Sequence, residues 1–546
     1  RINTLWKQLW NYYTGGGQSS MQDLGFSEAD YALIRSLGIT EERVRVQLEI
    51  FRQSSFQVRL NRPCTLGDGI RELDSGAVRE HLHLQEKAAA DGRFFSFVPA
   101  SGAATRMFQV LSERYGPAGA GGAEQISQGE VFGDTAASFR QCIERFEEFA
   151  FWEDLEGAMA GDGLNLNTML RTGRHQKILE YLLTDRGLNY GDLPKGLLPF
   201  HRYPSGNRTA FEEHLVEAAH YVRDRNRECR LHFTVSSDYQ ARFQRLLERV
   251  RRVYENRCGI RYDVGFSPQK TSSHTIAVDG DNRPFRDERG RLLFRPAGHG
   301  ALLENLNELQ GDLVYLKNID NVVPDHLKGE TVHWQKLLGG YLVQLQETAH
   351  RYLHDLSDGS FQDVAPDMVI FCREQLLCRV PEMFDSWPPA QKREFLIGWL
   401  NRPMRVCGMV RNMGEPGGGP FWVEGRDGAL SMQIVESAQV DLNSPEQRKI
   451  WEAATHFNPV NLVCAVRDYE GKPFDLEDFS DPQAVFITRK SQQGKEFKAL
   501  ELPGLWNGSM SEWITVFVEV PMITFNPVKS IKDLLRTEHQ PASHQP

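Results

Sequence analysis

Ser101, Gly102, Ala103, Ala104 and Thr105 form a run of small residues that ends in Arg106 and follows the apolar stretch Arg93-Phe-Phe-Ser-Phe-Val98. Small side chains after a strand let backbone N–H groups approach phosphate oxygens, and a guanidinium adds a fork of donors. The same pattern also serves plain tight packing of a strand on its following helix. Lys195 stands between Pro194 and Gly196. An ammonium on such a stiff turn acts as a point charge on a phosphate, or is merely solvated. Asp320 lies in Asn318-Ile-Asp-Asn321, just after the apolar run Leu313-Val-Tyr-Leu-Lys317. A carboxylate at the C-terminal edge of an open sheet is placed to hold Mg2+, which takes few protein carboxylates plus phosphate oxygens and water. Capping of the next segment is its alternative. His299 is flanked by Gly298 and Gly300, which let a flat ligand lie close to the backbone or simply open a helix. Its imidazole suits a base, a phosphate donor or a spectator. Lys529, in Thr524-Phe-Asn-Pro-Val-Lys-Ser530, follows a long apolar run and either reaches the same crevice or serves as a surface charge.

None of these stretches decides alone; their order does. The series Gly102-Ala-Ala-Thr-Arg-Met107, Pro194-Lys-Gly196, Phe266-Ser-Pro-Gln269, Gly298-His-Gly300, Asn318-Ile-Asp-Asn321, Phe457-Asn-Pro-Val-Asn461 and Phe525-Asn-Pro-Val-Lys529 with Asp533-Leu-Leu535 resembles the UDP-sugar pyrophosphorylases, in that family's order and over most of the chain. The chain also resembles a group of uncharacterised bacterial proteins known only as a domain of unknown function, placed in the same superfamily. The resemblance implies an α/β fold of the nucleotide-diphospho-sugar transferase type, a Rossmann-like mixed sheet flanked by helices. It implies that the Ser101 to Arg106 loop wraps a triphosphate, with Arg106 on the β- and γ-phosphates. Lys195 would neutralise phosphate charge at the reacting centre, and Lys529 would bridge the sugar phosphate and the α-phosphate. Gln269 would read the base edge, Gly298 would pack on base or ribose beside His299, Asn321 would lie near sugar or ribose, and Asn461 would touch the sugar hydroxyls. Asp320 would bind Mg2+, the implied cofactor. The implied partners are an NTP, with UTP favoured through Gln269, and a sugar-1-phosphate. Ser101 and Ala104 depart from the glycines usual in that family's loop, where extra methyl groups restrict positive φ and close approach.

The reaction that follows is nucleotidyl transfer: a sugar-1-phosphate oxygen attacks the α-phosphorus of the NTP in line, and pyrophosphate leaves. Positioning two anions and stabilising spreading negative charge is work for Lys and Arg clamps and a metal. A glycosyltransferase on the same type of scaffold is a rival, with Asp279-Gly-Asp281 as its metal string in a polar turn. A sensor that binds a nucleotide-sugar without turnover is another.

These residues need elements to carry them. Helical patterns run over 26–53 and 78–90, and an apolar strand over 93–98 precedes the small-residue loop. Residues 117–190 read as a helical insertion, with helices over 136–155 and 166–183. The α/β rhythm resumes with helix 208–221, strand 230–236, helix 239–254, strands 260–266 and 313–317, helix 331–356 and a strand over 367–371. The last third is β-rich, with strands over 404–410, 430–440, 461–466, 484–488 and 513–525. The expected organisation is an aromatic stub and Gly/Ser linker over 1–20, read as a tag or remnant before a start at Met21. Its alternative is a docking helix through Leu5, Trp6, Leu9 and Trp10. Beyond it come a helical region over 21–92, a nucleotide-binding core over 93–400 with the insertion 117–190, and a sugar-binding part over 401–546 that completes the active site.

The 546 residues carry 63 Lys and Arg against 73 Asp and Glu, a net charge of −10. That balance excludes a general nucleic-acid or membrane-surface binder, which needs a basic footprint. No apolar run reaches the roughly 18 residues of a membrane span. The eight cysteines form no C-x-x-C pair and no zinc spacing, which fits reduced thiols and a cytoplasmic location. Oligomeric state is left open by the sequence.

Overall fold

The computed structural model describes residue 9 and residues 25–52, 57–115, 132–358, 361–378, 380–414, 417–425, 428–492 and 495–542. The expected stub, apart from Leu9, lies outside the described residues, as do the start at Met21 and the 117–131 part of the expected insertion. The chain is mixed α/β, as the sequence predicts, and divides into two compact units, each discontinuous. One comprises Arg1–Phe95, Gln269–Leu316 and Lys336–Met522; the other comprises Ser96–Pro268, Lys317–Gln335 and Ile523–Pro546.

In the first unit, the strands Gly69–Arg71, Ile514–Glu519, Met404–Arg411 and Asn461–Ala465 are neighbours in that order. Met404–Arg411 runs parallel to Ile514–Glu519 and antiparallel to Asn461–Ala465, so the sheet is mixed. Met404–Arg411, up to its exposed last residue, and Asn461–Ala465 are buried on both faces, which explains their mostly apolar sequences. Helix Glu28–Ser36 opens with the reciprocal capping of Ser27 and Asp30 that the sequence signals. All eight cysteines are free thiols, and all but Cys258 are buried. Among the described residues no helix is long and apolar enough to cross a membrane.

The second unit holds the parallel strand pair Glu228–Val235 and Arg261–Pro268, with Leu231 opposite Val264. Ser96 to Pro99 pair in parallel on the other side of Glu228–Val235. Helix Gln240–Cys258 connects the pair and ends at Gly259, whose φ of 64° gives the left-handed cap that glycine adopts without strain. Helix Ala210–Ala218 begins with the capping box of Thr209 and Glu212 and is buried at every position. Its Glu213, His214 and Glu217 therefore meet protein rather than water. Glu217 pairs with Lys317 at 2.5 Å, and Glu213 is shared by Lys328, Arg208, Tyr203 and His201.

Several expected elements differ. The pattern over 26–53 forms two helices, Glu28–Ser36 and Glu41–Arg52, and the expected helix over 166–183 breaks into Leu166–Arg171 and His175–Leu183. Residues 367–371 belong to helix Phe361–Ile370 and the π turn that follows it, not to a strand. Met368, Phe371 and Cys372 are buried while Ile370 is exposed, a spacing of three and four that only a helix satisfies. The expected helix over 136–155 breaks into Phe132–Glu144 and Trp152–Gly161. Phe146, Phe149 and Phe151 are all buried between them, and a residue five places on cannot share a helical face with the first. The long strand over 513–525 ends at Glu519, because Pro521 has no N–H to continue a ladder. The strand over 430–440 stops at Val435 and turns at Ser437–Gln439.

The buried imidazoles of the second unit give its stability a pH dependence. Burial pushes His214 down to about 4, and burial likewise holds His201 and His539 below the ordinary imidazole value. Each stays neutral in the folded chain where the unfolded chain already takes a proton. Their contribution is complete above roughly pH 6.5 and is lost as pH falls toward the folded value, about 4 for His214. Urea midpoints measured at about pH 7.5 and about pH 5 should therefore fall toward the acid side. Equal midpoints at the two pH values would show that these rings are solvated.

Candidate functional site

Lys195 opens a single turn, Lys195–Leu197, after Pro194. Gly196 is required there by close approach: a Cβ at that position would lie 2.8 Å from Phe243 and 3.3 Å from Ile319. Asp320 follows the strand Leu313–Lys317, and Lys529 precedes the turn Ile531–Leu535. All three belong to the second unit. Lys195 Nζ donates to Asp320 Oδ2 at 2.8 Å and to the Val528 carbonyl at 2.7 Å. Lys529 Nζ lies 3.2 Å from Asp320 Oδ2 and 3.4 Å from Oδ1. The partners of Asp320 stand 125 and 209 residues away in sequence.

Exposure divides the roles of the two amines. The Lys195 side chain is 12% exposed and that of Asp320 9%, whereas that of Lys529 is 48% exposed. Burial alone would raise the Asp320 carboxyl, but the Lys529 and Lys195 ammoniums outweigh it and hold the group below the usual carboxylate range. Burial also depresses the Lys195 amine, against the pull of Asp320. The Asp533 carboxylate also acts on Lys195 and stands 3.9 Å from Arg536, so Lys195, Lys529 and Arg536 against Asp320 and Asp533 leave one positive charge in excess, and the half-exposed Lys529 carries charge to the surface. Such a group attracts an anion.

The small-residue loop is tied to both lysine segments. Lys195 N–H donates to the Gly102 carbonyl at 3.1 Å, Ala104 N–H to Leu193 at 3.0 Å, and Ile531 N–H to Met107 at 2.8 Å. Neither Gly102 nor any other residue from Ser101 to Met107 has a positive φ, so Ser101 and Ala104 cost the loop nothing. Ala104 is buried, while Gly102, Ala103, Thr105 and Arg106 are exposed and Ser101 is half-buried. Arg106 thus sits on the surface of a loop pinned to the Lys195 and Lys529 segments. The following helix, Gln109–Tyr115, starts three residues beyond Arg106.

Asn321 is buried and spends its amide on the chain: its oxygen accepts from Asn526 N–H at 2.9 Å and its nitrogen donates to Thr524 at 3.4 Å. It fastens the segment that leads to Lys529. Asp533 performs a similar service, accepting from the Lys529 and Ser530 amides at 2.8 and 2.7 Å. The spacing Ser530-x-x-Asp533 signals that cap in the sequence; the buried anchors Glu213, His214 and Glu217 give no such signal.

Gln269, Gly298, His299 and Asn461 fall in the first unit. Gln269 donates to Ser273 at 3.3 Å. Gly298 has φ 76°, and a Cβ there would lie 2.7 Å from Glu501. His299 stacks on Trp506 with centroids 4.1 Å apart, accepts from Leu505 N–H at 2.9 Å, and faces Glu436 at 3.6 Å. Asn461 is fully buried at the start of its strand. The string Asp279-Gly-Asp281 forms a tight turn in which Asp279 accepts from the Asp281 and Arg283 amides at 2.9 Å.

The donor set does not fit a Mg2+ ion on Asp320 as it stands. Both carboxylate oxygens already face ammonium groups, whose charge repels a further cation. Among the described residues no three His, Cys, Asp or Glu side chains form a metal cluster.

A family model described as a domain of unknown function (DUF4301) matches residues 27–540. No curated protein matches the chain. Among solved structures, the uridine diphosphate N-acetylglucosamine pyrophosphorylase from Trypanosoma brucei in complex with inhibitor is similar at 14% identity, over 97% of this chain and 84% of that one, with a TM-score of 0.47. The UDP-glucose pyrophosphorylase from Leishmania major is similar at 13% identity, over 94% of this chain and 79% of that one, with a TM-score of 0.42.

Proposed function

We propose a function for a chain that belongs to the DUF4301 family: nucleotidyl transfer from an NTP, with UTP the first candidate, to a sugar-1-phosphate, with release of pyrophosphate. The observation that carries this reading is the meeting of Lys195, Asp320 and Lys529 in one group with a net positive charge and one exposed amine. The motif order that resembles UDP-sugar pyrophosphorylases supports it. In the string Asp279-Gly-Asp281 one Asp279 oxygen is engaged by the backbone of its own turn, which counts against that string as a glycosyltransferase's metal pair.

In this reading the attacking phosphate is already an anion, so no general base is needed. Lys529 meets the incoming phosphates, and Lys195 supplies charge from below, where low exposure strengthens it. Asp320 holds both amines in place through its two carboxylate oxygens. Arg106 and the backbone of Ser101 to Thr105 face the distal phosphates. Gln269, Gly298, His299 and Asn461 fall in the other unit, and this reading of the lysine group does not draw on them. Mg2+ would reach such a site on the phosphates of the NTP, since Asp320 is held by its lysines.

The test is release of pyrophosphate from UTP, Mg2+ and a panel of sugar-1-phosphates, paired with a thermal-shift panel of the same ligands. A ligand present at about 100 times its Kd adds roughly 2.7 kcal/mol of stability, so a clear rise in Tm with UTP and with pyrophosphate is expected. Binding without pyrophosphate release would identify a sensor. Absence of both binding and turnover with every NTP tried would overturn the reading.

A further inference from the structure

The segments that bear Lys195 and Asp320 are fastened to one helix, and the Lys529 segment is tied to it through them. Ala210 N–H donates to the Leu198 carbonyl at 3.3 Å, three residues beyond Lys195. His214 Nε2 lies 3.2 Å from the Ile319 carbonyl, the residue before Asp320. A carbonyl only accepts, so this contact places the ring proton on Nε2. Glu217 pairs with Lys317 and Glu213 with Lys328, so the Asp320 segment is held on both sides of the His214 contact. Glu213 also bonds His201 at 2.9 Å, and the other nitrogen of His201 meets His539 Nδ1 at 2.9 Å, on the chain that follows Lys529. The Asp320 carbonyl in turn accepts from Val528 N–H at 3.0 Å.

Burying two glutamates and two lysines on and against one helix is costly. Well-packed apolar side chains of the same volume often serve stability as well or better. What ion pairs and directed hydrogen bonds add is a fixed register, because each partner accepts only one geometry. Here the fixed points lie at residues 317, 319 and 328, with Asp320 inside that span. We propose that helix Ala210–Ala218 sets the position of the Lys195–Asp320–Lys529 group, and that His214 is a positioning residue acting on Asp320 through the Ile319 carbonyl. The catalytic consequence rests on the nucleotidyl-transfer reading; the geometric one does not.

The experiment compares the full chain with His214→Phe and His214→Gln. Phenylalanine fills the space without a donor, and glutamine restores an N–H. One readout is independent of turnover: the rate at which acetic anhydride labels Lys195, followed by peptide mass spectrometry. A Lys195 held on Asp320 labels slowly. In folded His214→Phe it should label several-fold faster, with kcat for pyrophosphate release down about 10²-fold, the scale of a misplacement near 1 Å, and KM little changed. His214→Gln should recover most of both. The paired variant Glu217→Met with Lys317→Met is the second arm, since it exchanges the ion pair for apolar packing without leaving a lone charge. It too should stay folded, label Lys195 faster and turn over more slowly. Wild-type labelling of Lys195 in both folded variants overturns the positioning role. Faster labelling of Lys195 in the folded variants, with a wild-type chain that itself shows no turnover, leaves the positioning role standing and defeats the nucleotidyl-transfer reading instead.

Discussion

Lys529→Ala lowers pyrophosphate release from UTP and sugar-1-phosphate by about 10²–10³, the usual loss when one charge clamp on the transition state is removed. Its melting temperature stays near that of the wild type. The Lys529 side chain is 48% exposed, and an exposed ion pair contributes little to folding. What the amine offers is charge at the mouth of the site, where the phosphates arrive. Steady-state rates and a thermal melt on the same preparation check both halves. A folded variant with wild-type rates would remove Lys529 from the reaction.

Asp320→Ala is expected to behave differently, because it damages the fold as well as the chemistry. Asp320 is the counter-ion of Lys195, and both are largely buried. Removing one partner of such a pair costs about 3–5 kcal/mol, because the other charge is left without compensation. The sequence alone gives no reason to expect this loss, since a carboxylate at a strand end reads as an open metal ligand. Urea denaturation of Asp320→Ala should show a midpoint well below wild type. The double variant Lys195→Met with Asp320→Leu should recover most of that stability while remaining inactive. If Asp320→Ala proved as stable as wild type, Lys195 would have to be solvated, and its depressed amine would have no cause.

Much of this arrangement was legible in the residues. The apolar run before Ser101, the Pro194-Lys-Gly196 turn and the Asn318-Ile-Asp-Asn321 segment each announce a strand end or a turn, and their order pointed to one group. Capping boxes of equally local origin form at Ser27, Thr209 and Ser530. What stayed hidden depends on burial. Glu212, Glu213 and Glu217 on a short helix look like a solvated face, yet all three are buried against Tyr254, Lys328 and Lys317. Asn321 looks like a free amide beside a carboxylate, yet its partners lie more than 200 positions along the chain, at Thr524 and Asn526. Residues 367–371 are too short an apolar run to separate strand from helix by pattern; exposure of Ile370 decides it. The separation of Gln269, Gly298, His299 and Asn461 into a different unit from the lysines likewise follows from contacts that no linear motif records.

The separations of 125 and 209 residues between Asp320 and its two lysines also bear on how the molecule is made. A ribosome delivers Lys195 first, Asp320 much later and Lys529 last, so a nascent chain holds a lysine that has no carboxylate to bury against. Contacts this distant in sequence close slowly, because chain entropy must be surrendered before any contact repays it. The anion-attracting centre therefore forms among the final events of maturation, and immature chains expose the surfaces that chaperones recognise.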